Sequence, residues 1–279
     1  MPYCIYTDQE VDQSRGNFDH IVPLSLGGAN GFCVFAQRDF NSHIGSKVDG
    51  AIANDPLIEL ARRKADARGH SGRDPVLRWR NSEMEGRPVQ TTLSKEKATI
   101  WDSRERRTLA DAEVEGKPIK STLHLEIHPS VRFTAKVALG GGFFVYGDLM
   151  RQRIDCDELR RLTKLDLEEI RKDPSLDKMS ARVCHRFHKD ALGASADGSM
   201  YRHLCEFTGR TTFLAIPHPN SVAFHIGVLG MYIGSIFMPA ETSAFSIDGE
   251  HDVGHVILLE PGNMERLPLR EFAASAIIK

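Results

Sequence analysis

Asn17-Phe18-Asp19-His20-Ile21-Val22-Pro23-Leu24-Ser25-Leu26-Gly27-Gly28-Ala29-Asn30, followed after a short gap by Asn41-Ser42-His43-Ile44-Gly45-Ser46-Lys47-Val48-Asp49, is the stretch on which the reading of this chain turns. Phe18–Pro23 reads as a strand, Gly27-Gly28 as a turn and Phe32–Phe35 as a second strand. A helix from about Arg38 to Ala53 follows, because Phe40, Ile44, Val48 and Ile52 recur every four residues and build one apolar stripe. Asp55-Pro56 ends it and starts another helix. A short strand at Tyr3–Tyr6 precedes the unit, so the order is strand, loop, strand, helix.

Side chains alternate along a strand, so Asp19 and His20 face opposite sides of the ribbon unless the strand ends or twists there; a strand end beside a loop can aim both at one cleft. Histidine titrates near neutrality and can take a proton from water, while a carboxylate and an amide oxygen suit a hard cation such as Mg²⁺. His20, Asp19 and Asn41 supply one of each, the set that phosphodiester hydrolysis needs. Helical phase selects Asn41: at about 100° per residue it lies roughly 20° from Val48 and Ile52, on the edge of the buried stripe. His43 lies roughly 160° away and is the second-choice ligand. Gly45, one turn after Asn41, leaves room for a close approach.

The run Asp19-His20-Ile21-Val22-Pro23-Leu24-Ser25-Leu26-Gly27-Gly28 with Asn30, then Asn41 and Ile44-Gly45-Ser46-Lys47-Val48-Asp49, resembles the HNH or ββα-metal endonuclease family over about residues 4–55, a fifth of the chain. The resemblance implies that His20 is the general base, that Asn30 orients the loop, and that Asp19 and Asn41 hold Mg²⁺ or Mn²⁺. It also implies cleavage to a 3′-hydroxyl and a 5′-phosphate, in a microbial or phage setting such as restriction or defence. Many relatives carry two CxxC pairs around the hairpin. Here only Cys4 stands at the first place and Ala36-Gln37-Arg38-Asp39 at the second, so no structural zinc is expected. Packing of Ile5, Ile21, Phe32, Phe35, Phe40 and Ile44 must hold the unit together instead.

Working outward, the 279 residues have room for two domains. The net charge of -2 gives the whole chain no pull on a polyanion, so DNA contact requires a local patch. Residues 57–107 supply one, with thirteen Lys and Arg against eight Asp and Glu. Arg38, Lys47, Arg62, Arg63 and Lys64 are the candidate DNA contacts. Five scattered cysteines without a CxxC pair, and no apolar leader after Met1, fit a cytoplasmic protein with free thiols. The uncharged run between Arg210 and Glu241 is punctuated by Pro217, Pro219, Gly227, Gly230 and Gly234, which favours core strands over a membrane span. A helix is expected from Pro129 to Tyr146, with Gly140-Gly141-Gly142 marking a kink or a close helix contact, and another over Cys156–Arg171. Strands are expected at 211–216, 223–228, 231–238 and 253–259. Cys184-His185, His188, His251 and His255 lack spaced partners and read as packing or surface.

The expectation is therefore an α+β protein: a nuclease module over 1–56, a basic helical or connecting region over 57–108, and a mixed domain over 109–279 that targets, binds a partner or dimerises. The alternative is a non-cutting DNA-binding or assembly subunit that keeps the module as a scaffold.

Overall fold

The computed structural model describes residues 1–164, 178–187, 196–245 and 253–277. The protein is α+β, with helices set against antiparallel sheets. At the N-terminus β1 (Tyr3–Cys4) pairs with β2 (Gln9–Glu10), and β3 (Gly16–His20) pairs antiparallel with β4 (Cys33–Gln37). The chain then enters α1 (Arg38–Ile44), a π-helical turn at Gly45–Asp49, α2 (Gly50–Ala53) and α3 (Pro56–Lys64). Asp55 caps α3 by accepting from the Leu57 and Ile58 N–H groups, with Pro56 at the first helical position. The π turn interrupts the single helix that the periodicity suggests. Ile44, Val48 and Ile52 still reach the core, and Asp49 is buried with them.

Residues 57–107, expected as a basic helical or connecting stretch, are helical only in α3. After α3 they enter a five-stranded antiparallel sheet in the order β8 (Arg107–Thr108), β7 (Ala98–Asp102), β6 (Arg87–Leu93), β5 (Leu77–Met84), β9 (Ile119–Ser121). The sequence signal for β5 is weak because Arg78, Arg80, Asn81 and Glu83 crowd its outer side and leave few apolar positions. Met84, Val89, Ile100 and Leu109 form its own small core, and α4 (Asp111–Val114) lies in the connection to β9.

A helix whose apolar residues reach round most of its surface must be buried, and α5 (His128–Tyr146) is buried over most of its length. It packs on α6 (Asp148–Arg153), on α7 (Cys156–Lys164), on β4, and on the second sheet. That sheet has six antiparallel strands in the order β10 (Arg182–His185), β13 (Met231–Pro239), β12 (Ser221–Val228), β11 (Thr211–His218), β14 (His255–Glu260), β15 (Asn263–Pro268). Helices α8 (Ala196–Glu206) and α9 (Leu269–Ile277) complete the described elements. The uncharged run is therefore sheet core, and among the described residues no helix is long and apolar enough to cross a membrane. The helix expected over Cys156–Arg171 is seen to Lys164; its remainder, His188 and His251 lie outside the described residues.

Gly140-Gly141-Gly142 does not break α5. A Cβ at Gly140 would sit 2.5 Å from the Tyr6 hydroxyl, one at Gly141 2.6 Å from the Phe213 ring, and one at Gly142 2.7 Å from the Met150 sulfur. Three glycines cost helix propensity of about 1 kcal/mol each, and here they let the turn after β1, the six-stranded sheet and α6 close on one helix.

Candidate nuclease site

The residues singled out at the N-terminus converge on one cleft of about 560 Å³, lined by Asn17, Phe18, Asp19, His20, Asn41, Gly45, Asp49 and His70 among others. His20 is the last residue of β3, and its half-buried ring faces the loop that leads to β4. Gly27 adopts the left-handed conformation (φ 76°), and a Cβ at Gly28 would lie 1.8 Å from the Val22 carbonyl oxygen. The Gly-Gly pair is thus what lets this loop fold back tightly. The return brings Asn30 Oδ1 within 3.0 Å of His20 Nε2. With the Asn30 oxygen as acceptor, the contact favours the neutral tautomer protonated on Nε2, in which Nδ1 carries the lone pair.

Asn41 lies on the ribbon side of α1, as its phase requires, and donates from Nδ2 to Asn17 Oδ1 at 3.2 Å. Its own Oδ1 meets no donor among the described residues. His43 is exposed and does not line the cleft. At Gly45 an added Cβ would meet nothing within 4 Å, so that wall is open.

Asp19 is placed in a way the sequence did not reveal. Its side chain is only 7% exposed, and Oδ2 is 3.3 Å from the ammonium of Lys136, a residue of α5 with no exposure at all. The Lys136 ammonium donates to Asp49 Oδ2 at 2.8 Å and to the His20 carbonyl at 3.2 Å, so its contact with Asp19 is an ion pair, and Asp19 Oδ2 itself accepts no hydrogen bond among the described residues. Burial pushes the ammonium down, but Asp49 and Asp19 together outweigh that and hold it above its ordinary range. Burial also raises the Asp49 carboxyl to about 6, against the opposing pull of Lys136. Removing one member of such a cluster leaves a buried charge unpaired and costs about 3–5 kcal/mol.

The donor chemistry of Asp19 and the uncommitted Asn41 oxygen fits a hard divalent cation, as both are oxygen ligands beside an open wall. Among the described residues no group of three or more His, Cys, Asp and Glu has metal-binding geometry, so amide oxygens and water would complete the shell. At the place where a structural zinc would sit, Cys4 is buried and its sulfur accepts from the Gln37 N–H at 3.4 Å.

Of the expected DNA contacts, Arg38, Lys47, Arg63 and Lys64 are exposed. Arg62 is not available to phosphate: it is partly buried and donates to the Ser25 and Ala53 carbonyls, which tie the cleft wall to α3. His70, whose ring centroid is 5.3 Å from that of His20, was not legible in the sequence, because a lone histidine after Gly69 carries no motif. Lys136 and Asp49 were missed for a different reason. Neither has a local partner, and the three-residue contact forms only when α5 docks on the ribbon.

No protein-family model matches the chain, and neither a curated protein nor a solved structure does. The functional reading therefore rests on the site itself.

Proposed function

We propose that the protein is a metal-dependent endonuclease that hydrolyses DNA phosphodiester bonds, by nicking or by double-strand cleavage. The observation that carries this reading is the His20–Asn30 pair at the end of β3, facing a polar cleft that also holds Asp19 and Asn41. Asn30 favours the imidazole tautomer in which Nδ1 can accept the proton of an attacking water. Asp19 and Asn41 would hold Mg²⁺ or Mn²⁺, which supplies charge neutralisation at the phosphate. His70 lies beside His20 and is placed to contact the same phosphate. Exposed Phe18 stands at the rim, 69% accessible, where a nucleotide would pass.

A second reading has one observation in its favour. Asp19 is already paired with Lys136, as it would be in a DNA-binding or assembly protein that keeps the cleft without cutting. Incubation of purified protein with supercoiled plasmid and Mg²⁺ or Mn²⁺ separates the two. Nicking by the wild type and its loss in His20→Ala, with the melting temperature held within a few degrees, is the expected result. Equal cutting by the variant removes His20 from the chemistry and with it this nuclease site, whereas no cutting by the wild type with any divalent ion favours the scaffold.

A further inference from the structure

Lys136 is expensive. An ammonium with no solvent exposure, in the middle of a helix buried along most of its length, loses its full hydration. A methionine at 136 facing an asparagine at 49 would fill similar volume without two buried charges, and such replacements are often neutral or stabilising. Core formation alone therefore does not account for the cluster. What the ammonium adds is direction: it donates to the Asp49 carboxylate and to the main-chain oxygen of His20, and its charge sits 3.3 Å from Asp19 Oδ2. His20 closes the β3–β4 ladder opposite Cys33, and its carbonyl is held by Lys136. The π turn points the same way, since a helix gives up regular hydrogen bonding there in the segment that carries Asp49 into contact with Lys136.

We propose that Lys136 is a positioning residue for the cleft: from α5 it fixes the Asp19 carboxylate through Oδ2 and the strand end that carries His20, so the site is assembled from two distant parts of the chain. The proposal rests on the nuclease reading for its catalytic consequence but not for its structural one. Asp49 acts as the counter-charge that makes a buried ammonium tolerable, and it also orients that ammonium.

The test uses the sign of an electrostatic effect. Removing a cation from beside a metal-binding carboxylate should, by Coulomb attraction alone, tighten divalent-ion binding. Positioning demands the reverse. The full-length Lys136→Met variant is titrated with Mn²⁺ by calorimetry in the absence of DNA, and its plasmid nicking is then followed at saturating Mn²⁺. The expected result is Mn²⁺ binding weakened roughly tenfold, the range seen when groups supporting metal ligands are lost. In parallel kcat should fall about 30-fold or more with little change in KM for plasmid, as a small misplacement of catalytic groups produces. Should Lys136→Met fail to fold, the double variant K136M/D49N removes both charges together and leaves no orphaned partner, and the same two losses are expected of it. Unchanged or tighter Mn²⁺ binding with kcat within about threefold of wild type, in a folded variant, overturns the proposal and leaves the nuclease reading standing. Wild-type protein that binds Mn²⁺ but never nicks overturns the nuclease reading, while weaker Mn²⁺ binding by the variant still supports positioning.

Discussion

His225 shows how one side chain can be both satisfied and costly. It lies on β12 with no exposure; its Nδ1 meets Ser235 Oγ at 2.6 Å, Tyr201 stacks on its ring at 4.3 Å, and its Nε2 has no hydrogen-bond partner. Burial lowers its pKa from 6.5 to about 3, so the folded protein keeps it neutral where the unfolded chain protonates it. The folded pKa is the lower one, so this residue's contribution is complete above pH 6.5 and is lost as pH falls from 6.5 towards 3. The slope is at most about 1.4 kcal/mol per pH unit for one proton. His225→Asn keeps an amide near the Nδ1 position and removes the titration. Its stability, measured by urea unfolding, should fall overall through lost volume but decline less steeply below pH 6.5 than the wild type's. Parallel curves would show that acid sensitivity arises elsewhere.

At the scale of elements, the five-stranded sheet gives the basic stretch a defined surface. The pairings Arg78 with Thr92, Thr92 with Thr99, and Gln90 with Trp101 place these residues on one face, opposite Leu77, Val89 and Ile100. Arg80 lies in the bulge of β5 between Trp79 and Ser82 and is exposed, as Arg78 is. Many cations of this region are spent internally: Arg68 and Lys95 on Asp66, Arg87 on Glu105, and Arg107 on Glu105 and Glu113. Arg78 and Arg80 make no ion pair among the described residues, and Trp101 beside them is 39% exposed. In the proposed function this face contacts the DNA backbone. The double variant Arg78→Glu/Arg80→Glu should weaken duplex binding about tenfold or more and reduce the slope of log affinity against log salt by about two. Fluorescence anisotropy at several salt concentrations measures both. An unchanged slope would place the phosphate contacts elsewhere, with Arg63 and Lys64 at the end of α3 the next to examine.

For the whole molecule, residues 1–56 are fastened to the rest through polar and apolar contacts alike. Phe32 packs against Phe144 and Phe213, Thr211 donates to the Leu26 carbonyl at 2.7 Å, Arg160 donates to the Ile5 carbonyl at 2.9 Å, and Arg186 forms a buried ion pair with Asp55. One apolar cluster runs from Cys4 through α5 into the six-stranded sheet. A chain of fewer than about 60 residues buries too little surface to spare such partners. Residues 1–56 expressed alone should therefore give the circular dichroism of an unfolded chain, whereas the full protein melts with these residues in a cooperative transition. A folded, cooperatively melting fragment would show that the packing of Ile5, Ile21, Phe32, Phe35, Phe40 and Ile44 suffices. Local order was legible in the sequence: the ribbon, the stripe of Phe40, Ile44, Val48 and Ile52, the Asp55-Pro56 break, the glycine turn and the strands of the uncharged run all follow from periodicity and turn chemistry over a few residues. So did the choice of Asn41 over His43 for the cleft wall, because helical phase is a local property. The partners of Asp19 and Asp49, the neighbour of His20 in His70, the diversion of Arg62 to backbone carbonyls and the use of three glycines for close packing were decided by tertiary structure alone. The physical reason is distance along the chain: an ammonium 87 residues from Asp49 and 116 from His20 leaves no periodic trace, and only docking of α5 gives it partners.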